Sequence, residues 1–178
     1  MMMRLGLAIA AAAMFSAPAS AEPYSEVLFS HKHWQVSGVG FEDGSLACKA
    51  EVSAPGDSFA LWVFQDGTLR LQFYSTQWQF EGGTANLRVQ IDRRPDWTLT
   101  NAELYQNSVL FDLPSGNDSA RLLVEISQGQ KLFLRSESNE DVIWYSLSGS
   151  RASMDALIAC SDALSQSGGK SNPANPFQ

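Results

Sequence analysis

The sequence predicts an α+β fold: an antiparallel, β-rich curved sheet or small sandwich with a C-terminal helix packed on it. Three observations carry this. Apolar and polar residues alternate through residues 30–147, with turn-forming residues between the runs. An Asp66-Gly67 pair separates two apolar runs. Apolar residues after Ser150 change from a period of two to helical spacing. Hydrophobic residues make up 44% of the 178 residues and charged residues 17%, a composition that excludes a disordered polymer and a coiled coil.

Residues 1–21 read as a secretory signal peptide. Arg4 supplies the positive start, Leu5 to Phe15 the apolar run, and Ala19-Ser20-Ala21 a small-residue cleavage site. An uncleaved anchor or a buried helix is the competing reading, but the apolar run is short for either a membrane span or a long core helix. Removing these 21 of the 178 residues leaves 157, one domain's worth, and the loss of Arg4 takes the net charge from −7 to −8. No Cys follows the site, which argues against a lipid anchor, and no second run is long enough to span a bilayer. The expected product is exported to a bacterial periplasm or secreted. An acidic chain with 12 Lys and Arg against 19 Asp and Glu is poorly suited to nucleic acid.

The expected domain covers residues 22–165. A strand over residues 45–53 carries Cys48. Phe59 to Gln65 and Thr68 to Tyr74 form a hairpin around Asp66-Gly67, read as a type I′ turn. Leu69, Leu71 and Phe73 share one face, with Arg70 and Gln72 on the other. The first arm is apolar on both faces, so it is expected to be central and covered on both sides. Leu87, Val89 and Ile91 alternate with Arg88, Gln90 and Asp92 in a half-buried strand, ended by the Arg93-Arg94-Pro95-Asp96 turn. Trp97 to Leu104 and Ser108 to Leu113 follow, then a late hairpin of Leu132 to Arg135 with Val142 to Leu147.

Residues 119–128 read as helix or strand; as a helix, Ser119 would cap it and Gly129 stop it. The helix over 151–165 is expected to start at a Ser150 cap and to bury Met154, Leu157, Ile158 and Leu164. Cys160 falls on that same side. Cys48 and Cys160 are the chain's two cysteines, and in an oxidising compartment they are expected to form a structural disulfide. A reactive thiol and an intermolecular bridge are the alternatives. Residues 166–178, rich in Ser, Gly, Asn and Pro, are expected to be a disordered tail.

Chemistry-bearing patterns are sparse. On a strand, His31 and His33 would share a face and could offer two imidazoles to a metal, weighed against two half-exposed histidines beside a wall-forming Trp34. Glu42-Asp43 and Glu140-Asp141 read as solvated turn charges. There is no phosphate loop, no His-Glu-x-x-His and no calcium loop, so no cofactor is expected. Trp78 and Phe80, alternating with Gln77 and Gln79, are the candidates for an exposed ligand-binding aromatic face.

The Trp34-Gln35-Val36 strand, Cys48 on the next strand, and the closing stretch from Tyr145 through Leu147-Ser148-Gly149 to Leu157 resemble the invasion-associated locus B family of small exported alphaproteobacterial proteins. The chain departs from that pattern at Ser150, where an aromatic residue is expected. The resemblance implies an envelope protein with no established catalysis and supplies no catalytic residue. The expected function is therefore a non-catalytic binding or envelope-associated module whose partner is a protein or an envelope component. Two other expectations follow from the residues: an inhibitor of a cationic envelope-directed enzyme such as lysozyme, from the acidic charge, and a metal-dependent hydrolase using His31 and His33.

Overall fold

The computed structural model describes residues 24–168. The signal-peptide range 1–21 and residues 169–178 of the expected tail lie outside them.

Among the described residues, ten strands form one antiparallel sheet. In chain order they are β1 (Tyr24–His31), β2 (Trp34–Gly40), β3 (Leu46–Ala54), β4 (Asp57–Phe64), β5 (Leu69–Ser75), β6 (Thr84–Ile91), β7 (Trp97–Tyr105), β8 (Ser108–Leu113), β9 (Lys131–Ser136) and β10 (Asp141–Ser146). Helix α1 (Asn117–Gln128) links β8 to β9, and α2 (Ser150–Gly168) follows β10. The spatial order is β1-β2-β3-β4-β5-β8-β7-β6-β9-β10. Hairpins build the first five strands in sequence. The β6–β7–β8 meander then returns to pair β8 with β5, and β9 adds beside β6.

The sheet is curved, and one contact demonstrates it. Tyr145 on the edge strand β10 packs on Phe59 of β4 and Phe73 of β5, with ring centroids 5.8 and 6.0 Å apart. In a flat sheet, five strand spacings of about 4.8 Å would keep β5 and β10 roughly 24 Å apart. The concave face holds the core: Trp34, Val36, Ala50, Phe59, Leu61, Leu71, Phe73, Val89, Ile91 and Leu132 are buried there with Leu122 and Ile126 of α1 and Leu157 of α2. Both helices pack on this side, and α2 lies against β1 to β4 and α1. The Cys48–Cys160 disulfide joins β3 to α2 with a Cα–Cα separation of 6.0 Å. No described helix is long and apolar enough to cross a membrane.

Several local expectations are corrected. The β4–β5 turn is not type I′, because Gly67 has φ 86° while Asp66 stays out of the left-handed region. Gly67 N donates to Phe64 O and Phe64 N to Thr68 O, both at 2.9 Å, which defines a three-residue loop closed by a left-handed glycine. Strand β4 is central, between β3 and β5, but its outer face is covered by side chains of the sheet rather than by a second layer. Ser119 does not cap α1. Gly116 holds that position, and Ser119 is buried in the first turn, donating to Pro114 O at 2.5 Å. Residues 119–128 are helix, not strand. Ser150 does not cap α2 either: Gly149 O accepts the first helical bond, from Ser153 N at 3.3 Å. Ile158 is 60% exposed instead of buried, and α2 runs to Gly168, three residues into the range expected as tail.

Candidate functional site

The feature with the most apolar lining is a groove on the concave side. Leu122 and Ile126 turn α1 into the core. That leaves Leu123 and Val124 on the flank facing α2. On α2, Met154 and Leu157 point down into the core, and Arg151, Asp155 and Ile158 follow each other one turn apart along the rim. The floor is Leu61 and Val63 of β4 with Leu69 of β5, closed at one end by Gly67. The groove is open to solvent along one side and has a volume of about 510 Å³, within the range of small-molecule sites. Val124 is 50% exposed and Ile158 60%, so two large apolar side chains stand in water on opposite rims.

Specific contacts join the walls to each other and to the sheet. The buried Ser150 Oγ donates to Ile126 O at 2.8 Å and lies 3.4 Å from Ser127 O, so the start of α2 satisfies carbonyls that the end of α1 leaves unpaired. Gly129, directly after α1, sits where an added Cβ would lie 2.5 Å from Ile91 Cγ2 and 2.9 Å from Leu147 Cδ1. Its φ of −78° is ordinary, so glycine is needed here for room and not for backbone freedom. Glu125 fixes the outer side of α1: its carbonyl accepts from Arg94 at 3.0 Å and its carboxylate from Trp97 Nε1 at 2.9 Å. Arg121 lies over the Trp97 ring at 4.4 Å. The disulfide secures α2.

Trp78 and Phe80 do not form an exposed face. They lie in the segment after β5, with rings 5.7 Å apart, half-buried against the core. Phe80 N donates to Gln106 O at 2.7 Å, and Asn107 Nδ2 donates to Trp78 O. The alternation was real, but Gln77 and Gln79 take the wet side and the rings the dry side. The outward aromatic cluster is instead Phe41, Trp62 and Phe64. Trp62 and Phe64 stack at 5.9 Å and 10°, and Phe41 lies 6.3 Å from each. Lys49 lies over Trp62 and Arg70 over Phe64, while Trp62 Nε1 donates to Gln72. The rings pack on one another and carry cations on their faces, and they line a smaller hollow of about 320 Å³. This cluster accounts for the apolar outer side of β4.

His31 and His33 are not on one strand face. His31 ends β1 and pairs with Trp34; Lys32 and His33 form the two-residue turn, with Lys32 at φ 55°. The shared-face premise for two imidazoles therefore fails. Lys32 Nζ instead reaches Ser148 Oγ at 3.1 Å. Among the described residues, no three His, Cys, Asp or Glu are grouped so as to hold a metal ion. Both cysteines are consumed in the disulfide. Asp43 accepts from Ser45 Oγ at 2.6 Å and Ser45 N at 2.9 Å, and these bonds hold its carboxyl below the usual range. Asp141 pairs with Arg135 at 2.6 Å. Trp144 stands on the outer side of β10 with Lys131 over its ring at 4.6 Å.

No family model, curated protein or solved structure matches this chain.

The groove was not legible in the sequence. Its traces were Val124 and Ile158, apolar residues outside the stripes that α1 and α2 bury.

Proposed function

We propose that this protein is an exported, non-catalytic binding module that holds an apolar ligand in the groove between α1, α2 and the β4–β5 hairpin. The observation that carries the reading is the groove itself: an apolar floor, two helices pinned by Ser150, and exposed Val124 and Ile158 at its mouth. A disulfide that ties the groove's helix to the sheet is compatible with an oxidising compartment, which supports a periplasmic or secreted location. The likeness of the Trp34 strand and the closing segment to the invasion-associated locus B family supports an envelope role. Of the acidic pairs, Asp43 bonds to Ser45 and Asp141 to Arg135, and neither pair lines the groove.

The test is titration of the mature chain with Nile red, a neutral apolar dye whose emission rises in a dry site. Saturable binding at one site is expected. A Val124→Asp/Ile158→Asp variant should weaken it at least tenfold while keeping the thermal midpoint, since both side chains are exposed in the free protein. Binding that the double variant leaves unaltered would place the ligand elsewhere and remove this reading.

A further inference from the structure

The polar residues on the groove's rim cluster towards one end. Ser127 and Gln128 close α1 and Arg151 and Asp155 open α2, so four polar lining residues gather at the end where Ser150 joins the helices. Leu123, Val124 and Ile158 line the remainder, and Ser161 is the polar residue beyond them. Arg70, Arg88, Arg121 and Arg135 each face a carboxylate within 4.0 Å, Arg94 donates to the Glu125 carbonyl, and Arg93, away from the groove, has no carboxylate partner among the described residues. On the groove's rim, Arg151 and Asp155 are unpaired: among the described residues neither has an ion pair or a side-chain hydrogen bond. Arg151 also occupies the first turn of α2, where the helix dipole opposes a cation, so its placement is not explained by helix stability. Residues four apart on a helix present their Cβ atoms about 5–6 Å from each other. An unpaired cation and an unpaired anion at that spacing, at one end of an apolar channel, complement a head group carrying both signs.

Resting on the binding reading above, we propose that the groove takes a single-chain zwitterionic amphiphile. Its chain lies along Leu123, Val124 and Ile158, its phosphate meets Arg151, and its ammonium faces Asp155. A phosphate can accept two parallel bonds from a guanidinium, which fixes the head group as well as attracting it. An exposed ammonium–carboxylate contact adds less.

The experiment is displacement of Nile red from the mature chain by three dodecyl amphiphiles, each below its micelle concentration: dodecylphosphocholine, dodecyl phosphate and dodecyl maltoside. Dodecylphosphocholine should displace at the lowest concentration. Arg151→Gln and Asp155→Asn should each weaken it by about three- to tenfold and leave dodecyl maltoside unchanged. Both side chains are exposed, so folding is preserved, and a thermal melt confirms it. Equal displacement by all three, with no effect of either variant, overturns the head-group assignment and leaves the apolar groove standing. Tightest binding of dodecyl phosphate, with sensitivity to Arg151→Gln alone, overturns the zwitterion. Failure of the wild-type chain to bind the dye or any amphiphile overturns both this proposal and the reading it rests on.

Discussion

Replacing both cysteines with alanine removes a covalent link across 112 residues of sequence while leaving α2 its other contacts. The loop-closure relation for that separation gives a loss of about 4.8 kcal/mol at 25 °C, assigned to the added freedom of the unfolded chain. Measured values for native disulfides run at roughly 2–5 kcal/mol, so the calculated figure lies near the top of that range. Met154 and Leu157 still bury their side chains against the sheet, each contributing on the order of 1.5–3 kcal/mol. The double variant should therefore fold with α2 docked, but with reduced stability. For a chain of this size each kcal/mol moves the melting temperature by about 2–4 °C, so a fall of roughly 4–20 °C is expected. The assay is urea unfolding of residues 22–178 and of the Cys48→Ala/Cys160→Ala variant in non-reducing buffer, followed by far-ultraviolet circular dichroism. The slope should rise slightly as well, because the unlinked chain exposes more surface when unfolded. A double variant within about 1 kcal/mol of wild type would refute the reasoning, since it would mean that the tether adds nothing to what the packing of α2 already supplies.

Three further outcomes follow from particular contacts. Gly129→Ala should destabilise by about 1–3 kcal/mol, because its Cβ must displace Ile91 and Leu147 in the packed core; an unchanged urea midpoint would show that the segment after α1 yields freely. Ser150→Ala strips a partner from Ile126 O in a buried position and should cost about 1–3 kcal/mol by the same measurement, with faster amide exchange at the end of α1 as its local signature. Tyr145 is buried with no protein partner for its hydroxyl, and burial, then the nearby Asp57, pushes its phenol above the ordinary value. Its contribution is complete below the unfolded phenol value of about 10 and is lost as pH rises past it, because unfolding then releases a proton. Tyr145→Phe should thus be as stable as wild type or more so at pH 7, and should lose less stability than wild type between neutral and strongly alkaline pH; parallel alkaline decline of the two proteins would count against the assignment.

Local pattern was enough for much of the fold. The hairpin from Phe59 to Tyr74, the strands of Leu87 to Ile91 and Ser108 to Leu113, and the 2-to-3.6 change of period at Ser150 are written in neighbouring residues, because side-chain alternation and turn chemistry act within a few positions. The pairing of Cys48 with Cys160 followed from their number and from the side of α2 on which Cys160 falls. The same rules failed wherever a residue's role depended on something distant. Ser119 and Ser150 have the chemistry of caps, yet each donates to a carbonyl outside its own helix, at Pro114 and Ile126. Trp78 and Phe80 alternate with glutamines, but alternation separates two faces without saying which is wet. His31 and His33 share a face only on an uninterrupted strand, and the chain turns between them.

Periodicity thus established that this chain would make an antiparallel sheet and a closing helix, since burying an apolar stripe demands it. The curl that brings β10 over β4 and β5, the angle between α1 and α2, and the groove left between them came only from three-dimensional packing. A groove is the space that two packed elements fail to fill, and no residue along the chain carries a record of what it will not touch.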